Sequence, residues 1–229
     1  MSSTSMKPRT SRAQRTVWIV IAVAVLAMVL TIVIANLVRA DEQETLTSEG
    51  GAQVVREDSR IISQAPQEKA VLVEFLDFEC EACRAAKPFV DELKEEYDQN
   101  LTIVARYFPL PGHINSMNAA LAVEAAAQQR QFVPMLDRMY ETQEAWGEAS
   151  ESKADVFRGF AQELGLDMAA FDAAVADPQT QARIERDVAD GTALQVAGTP
   201  TFFLDGELVE AATLEEFRAL IADSISDEQ

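Results

Sequence analysis

Residues 71–88 read VLVEFLDFECEACRAAKP. The first eight, Val71 to Phe78, form a short and mostly apolar run rich in β-branched and aromatic side chains, the composition of a buried strand. From Cys80 to about Tyr97 the pattern becomes helical. Phe89, Val90 and Leu93 fall on one side, and Asp91, Glu92, Lys94 and Glu95 occupy most of the rest. The chain has only two cysteines, Cys80 and Cys83, and both sit where the strand hands over to the helix.

Three chemistries use a C-x-x-C pair. Half of a zinc site fails on count, because two cysteines and one histidine fall short of the usual four Cys/His ligands unless a carboxylate or a second chain completes them. A structural disulfide over so short a loop removes little unfolded-state entropy, roughly 2 kcal/mol against about 3 for a 15-residue loop. A redox dithiol fits the placement best. The attacking species is a thiolate, and the unpaired N–H groups and dipole at a helix N-terminus stabilise an anion. Cys80, at the cap, is then the exposed nucleophile. Cys83, one turn later on the same face, is placed to attack the mixed disulfide that Cys80 forms.

Outward from this stretch, Leu101–Phe108 reads as a second strand ended by Pro109-Leu110-Pro111-Gly112. Helices follow at Ser116–Arg130, around Phe132–Gln143, and at Ser150–Leu164, the last closed by Gly165. Asp167 can cap a fourth helix and Pro178 can open a fifth. Strand character returns at Thr201–Leu204, with Asp205-Gly206 as a two-residue turn and Glu207–Glu210 as the return strand. Thr213 and Glu216 form a capping box for a last helix to about Ser224. The order β, α, β, a block of helices, then β, β, α predicts an α/β fold whose sheet is interrupted by a helical insertion.

At this point the chain resembles the thioredoxin superfamily. Glu74 stands six residues before the first cysteine and Pro88 eight after it, both at the family's offsets. The resemblance implies that Glu74 is a buried acid assisting proton transfer at the resolving cysteine, and that Pro88 kinks the active-site helix. Far downstream, VAGTPT at 196–201 resembles the family's cis-proline loop, which implies a cis Thr199–Pro200 bond beside the dithiol and pairing of these residues with substrate backbone. Cys83 and Pro200 are 117 positions apart, more than a minimal thioredoxin needs, so the helical block of about residues 115–195 is an insertion. That spacing, and the segment FPLPGHINSMNAALAVEAA, resemble the DsbA-like branch. The implied fold is thioredoxin-like with an inserted helical domain, over roughly residues 58–225. One departure stands out. Many oxidising members carry Pro-His between the cysteines, where the histidine helps to stabilise the thiolate. Here Glu81-Ala82 takes its place. A carboxylate beside the nucleophile, with Glu79 adding to it, is expected to raise the Cys80 pKa and make a weaker oxidant.

The N-terminal forty residues have another character. Val17 to Val38 is an uncharged apolar run of 22 residues. At about 1.5 Å per residue it spans about 33 Å, enough for a hydrocarbon core of about 30 Å. Four basic residues precede it and an acidic stretch follows. The expected organisation is a cytoplasmic tail at 1–16, a transmembrane helix at 17–38, a linker at 39–57 and an extracytoplasmic domain at 58–229. A cleaved signal peptide is the alternative, although the run exceeds the usual h-region of about 7–15 residues. The formal net charge is −19, and residues 41–229 carry 38 acidic side chains against 14 basic ones. So acidic a surface argues against nucleic acid as a partner.

The expected activity is thiol–disulfide exchange on exported proteins, with no cofactor or metal. By family analogy the disulfide donor would be reoxidised by a membrane quinone-linked oxidase. A reductase or isomerase, or a binding or chaperone module with an incidental dithiol, remain as alternatives. His113, the only histidine, reads as a surface or capping residue, and Asp77 as the end of its strand. Met117, Met135, Met139 and Met168 read as core filling rather than a substrate groove.

Overall fold

The computed structural model describes residues 51–227. The segment read as a transmembrane helix at 17–38 and the tail before it lie outside the described residues. Among the described residues no helix is long and apolar enough to cross a membrane.

Five strands form one mixed sheet: β1 (Arg60–Ser63), β2 (Ala70–Leu76), β3 (Leu101–Tyr107), β4 (Thr201–Leu204) and β5 (Glu207–Leu208), in the order β1-β3-β2-β4-β5. Helix α1 (Glu81–Glu96) joins β2 to β3. These two strands run parallel, from Ala70 opposite Leu101 to Leu76 opposite Tyr107. A parallel pair needs such a crossover, and the apolar face of α1 covers the sheet it returns to. Five helices lie between β3 and β4: α2 (Ser116–Ala127), α3 (Phe132–Trp146), α4 (Ala154–Glu163), α5 (Met168–Ala176) and α6 (Pro178–Ala193). A final helix, α7 (Leu214–Asp227), follows the β4–β5 hairpin.

Local chemistry explains most boundaries. Asp167 accepts from the Ala169 and Ala170 N–H groups to cap α5, and Asp177 accepts from Gln179 while Pro178 opens α6. Asp205 and Gly206 take the left-handed region at φ 51° and 89°, as a tight hairpin between twisted strands demands. Before α7 the Thr213 hydroxyl accepts from Glu216 N–H at 3.1 Å, but the Glu216 carboxylate reaches Ala212 N–H, one residue earlier than the capping box expects. Helix α4 starts at Ala154, not Ser150, because Asn115 claims the preceding turn. Its amide donates to the Glu151 carbonyl at 3.1 Å and accepts from Lys153 N–H at 2.7 Å. Strand β1 was not anticipated. It is short, lies at the sheet edge against β3, and has a single side chain, Ile62, turned fully inward.

Alternation along β2 sends Leu72, Glu74 and Leu76 to one face and Val73 and Phe75 to the other. The first face packs against α1, α2, α3 and α7 through Phe89, Leu93, Val123, Met135 and Phe217. Met135 and Met139 are fully buried here and Met117 and Met168 pack partly against the same core, so the methionines fill space. The second face packs against the end of α6 and against Phe108, Val196 and Phe203. Contact there is close: a Cβ at Gly191 would meet the Phe108 ring at 2.8 Å and Phe75 at 3.0 Å. Gly191→Ala is therefore expected to cost about 1–3 kcal/mol, read as a lower denaturant midpoint at unchanged slope. An unmoved midpoint would show that α6 can slide without penalty.

Residues 53–57, expected to belong to the linker, are bound into the domain instead. The reason is Arg106, which β3 buries completely. Its guanidinium donates to Asp187 at 2.8 Å, to Asp190, and to the carbonyls of Gln53 and Val54 at 2.8 and 2.7 Å. Arg56 joins the same Asp190 carboxylate. A buried guanidinium needs acceptors for its whole fork, and the incoming chain supplies two of them.

Candidate active site

Cys80 is the N-cap of α1, at φ −70° and ψ 120°. Its place there follows from the end of β2. Asp77 turns the chain by accepting the Glu79 N–H on its side chain at 2.8 Å and the Cys80 N–H on its carbonyl at 3.2 Å. Helix α3 grips the same turn. The Gln143 amide donates to the carbonyls of Phe78 at 2.7 Å and Cys80 at 3.0 Å, and the Tyr140 hydroxyl donates to that of Asp77 at 3.4 Å. Glu79, expected to crowd the nucleophile with charge, is buried and committed elsewhere. Its carboxylate accepts from Asn115 N–H at 2.6 Å and Glu148 N–H at 3.1 Å, which ties the motif to the insertion. Nothing local in the sequence marked Glu79, Tyr140 or Gln143, because each acts across 36 residues or more.

Both cysteines are free thiols. Cys80 keeps 8 % of its surface and Cys83 none, so the nucleophile is less open than its cap position suggested. The cause is the loop before β4. Cys80 Sγ lies 3.2 Å from the Thr199 carbonyl oxygen, to which the thiol can donate. The Thr199–Pro200 peptide is cis. Thr199 Oγ1 is buried with no partner of its own. Thr199, Pro200, Glu81 and Ala82 are exposed between the cysteines.

The two sulfurs are driven apart in acidity. Cys80 is lowered to about 5, chiefly by the hydrogen bond from the Cys83 thiol, with Thr199 and the N–H groups of Cys83 and Ala82 adding to it against the effect of burial. The expectation that Glu79 and Glu81 would raise the Cys80 pKa is thus corrected: hydrogen bonds to the thiolate set its acidity, Glu79 is tied up by backbone donors, and Glu81 faces water. Cys83 is pushed the other way, first by burial, then by the bond it gives to Cys80 and by the Glu74 charge.

Glu74 lies on the central strand opposite Ala105 and Phe202, which rules out an edge position. It is 4 % exposed and faces α1 beneath the cysteines. Burial raises its pKa to about 8, with Lys87 pulling weakly in the other direction. Pro88 sits inside α1 and is exposed. Among the described residues no group of three or more Cys, His, Asp or Glu side chains is arranged to hold a metal ion.

This arrangement can carry two-electron sulfur exchange. It has one sulfur that is anionic at neutral pH, a partner sulfur one turn away that holds its proton, and a buried carboxyl that titrates near neutrality to move that proton. Comparison with known proteins agrees. A family model described as Thioredoxin matches residues 63–223. Among solved structures, a thioredoxin-like oxidoreductase from Silicibacter pomeroyi DSS-3 superposes with a TM-score of 0.63 at 24 % identity, covering 76 % of this chain and 95 % of that one. Wolbachia pipientis α-DsbA1 superposes with a TM-score of 0.64 at 18 % identity, covering 75 % and 92 %. A Na(+)/H(+) antiporter NhaA of Herminiimonas arsenicoxydans is 39 % identical over 135 residues, which are 59 % of this chain and 20 % of the antiporter. The chain thus spans about a fifth of the length of the curated relatives it matches.

Proposed function

This chain belongs to the thioredoxin family, and from that premise we propose that it is a thiol–disulfide oxidoreductase that donates disulfides to reduced exported proteins through Cys80 and Cys83. The observation that carries the direction is the acidity of Cys80. A thiolate held at a pKa of about 5 stabilises the dithiol form, and a stabilised dithiol makes its disulfide oxidising.

The chemistry runs as two displacements. A substrate thiolate attacks Cys80 Sγ in the Cys80–Cys83 disulfide, the S–S bond breaks, and its electron pair leaves on Cys83. Cys83 is a poor leaving group as an anion, and Glu74, protonated at neutral pH, hands it a proton. A second substrate thiolate then attacks the substrate sulfur of the mixed disulfide and expels Cys80. Because Cys80 is the more acidic sulfur, it leaves readily. The substrate loses two electrons to form its disulfide, and the protein gains them as a dithiol. Thr199 and Pro200, beside Cys80, bind the substrate backbone.

The apolar span at 17–38 anchors the domain with its N-terminus cytoplasmic, so the dithiol works outside the cytoplasm near a membrane quinone-linked oxidase that restores the disulfide. The likeness to part of an antiporter fits a domain that works beside a membrane.

The test is a single-turnover reaction of the oxidised full chain with a reduced two-cysteine peptide. The expected yield is one peptide disulfide per protein disulfide consumed, and none from a Cys80→Ser/Cys83→Ser variant. Failure to oxidise the peptide, with ready reduction of an oxidised one by the dithiol form, would reassign the protein as a reductase.

A further inference from the structure

The Cys80–Cys83 motif has no cationic side chain between its cysteines. The structure brings one to its base from elsewhere. His113 lies in the turn before α2, and its Nδ1 is 2.6 Å from Asp77 Oδ2. The same carboxylate accepts from Leu110 N–H at 2.9 Å and Glu79 N–H at 2.8 Å, and the Asp77 carbonyl accepts from Cys80 N–H. One residue thus connects His113 to the turn that presents the nucleophile. The pairing is buried on one side and open on the other: Asp77 is 1 % exposed, whereas the His113 side chain keeps 31 % of its surface.

We infer that His113, held by Asp77, is a positioning residue that keeps an imidazolium beside the Cys80 turn and so supports the Cys80 thiolate through charge. This rests on the reading of Cys80 as the nucleophile. The chemistry of the pair supports it. A carboxylate that already accepts backbone N–H bonds requires a donor at Nδ1, which leaves Nε2 free to hold the second proton. Burial alone would lower the His113 pKa, but the hydrogen bond and charge of Asp77, and then the charges of Glu79 and Cys80, raise it. A pairwise charge interaction is reciprocal, so a thiolate that favours imidazolium is itself favoured by it.

The groups facing His113 leave it as the one positive charge at this turn. Asp77, Glu79 and Cys80 come from the β2–α1 connection. Asn115 and Ser116 at the start of α2 are neutral, and α3 offers the Tyr140 hydroxyl and the Gln143 amide. Glu148, beyond α3, meets Glu79 through its backbone N–H. With His113 neutral, Asp77 and Glu79 stand as uncompensated anions next to the sulfur.

The chain has a single histidine, so its imidazole NMR signals can be titrated without ambiguity in the full chain. Converting the dithiol to the disulfide removes the thiolate, and the His113 pKa is expected to fall by about half a unit to one unit. An identical His113 pKa in the two redox states would overturn the inference. Thiolate absorbance reads the other side of the coupling. In His113→Gln the Cys80 pKa is expected to rise by about one unit, a tenfold change, whereas His113→Lys, which keeps the charge, stays within a few tenths. If Gln and Lys shift Cys80 equally, His113 only props the loop and the inference fails. A wild-type Cys80 that titrates near 9 would instead remove the nucleophile reading beneath it.

Discussion

Cys83→Ser is expected to stop turnover and leave Cys80 joined to substrate as a mixed disulfide, while Cys80→Ser forms no adduct at all. The asymmetry follows from where the two sulfurs sit. Cys80, at the helix cap with 8 % of its surface open, is anionic at pH 7 and within reach of a substrate sulfur. Cys83 is fully buried and keeps its proton. In Cys83→Ser the nucleophile is intact, but the group that can return the mixed disulfide to an intramolecular one is missing, so the adduct persists on non-reducing electrophoresis. In Cys80→Ser the remaining thiol is almost never a thiolate, and exchange should fall by about 10³-fold or more. Equal adduct yields from the two variants would mean that the burial difference does not assign the roles.

Glu74→Gln should change both stability and rate, in opposite directions. The carboxyl ionises near 4.5 in the unfolded chain and near 8 in the folded one. Between those values the unfolded state binds fewer protons than the native state, so the native protein loses stability as pH rises from about 4.5 to 8 and loses no more above it. A shift of this size corresponds to roughly 5 kcal/mol. Burial of the amide takes back about 1–3 kcal/mol. The variant should therefore be a few kcal/mol more stable than wild type at pH 8.5 and no more stable than it at pH 4. Its release of the mixed disulfide should slow by about 10²-fold at neutral pH, because no acid remains to protonate Cys83 as it leaves. Denaturant midpoints at the two pH values and stopped-flow exchange read these effects separately. A variant with the same stability difference at both pH values would show that Glu74 is not held protonated.

The features legible in the sequence were those with a local signature. Asp167 and Pro178 announced their helices by side-chain type, Asp205-Gly206 announced its hairpin, and the Val71–Phe78 run led into the helix that carries the cysteines. The inserted helices and the meeting of Cys80 with Thr199 and Pro200 were legible only through resemblance, since 119 residues separate the two ends of that contact. The rest had no local signal. Strand β1 is four residues at an edge. The Arg106 cluster gathers Gln53, Val54, Asp187 and Asp190 from both ends of the domain. Glu79 read as a surface acid beside the nucleophile because its charge was visible and its two backbone donors, Asn115 and Glu148, were not. The error about the Cys80 pKa has the same origin: net charge along the motif is written in the sequence, and the hydrogen bonds that outweigh it are made by the fold.

The most direct test of the disulfide-donor account is the reduction potential of the Cys80–Cys83 pair in the full chain, by equilibration with glutathione. The acidity of Cys80 predicts a value above about −200 mV, towards the strong-oxidant end near −120 mV. A value at or below about −270 mV would contradict it, because a pair so reducing would take disulfides from exported proteins instead of supplying them.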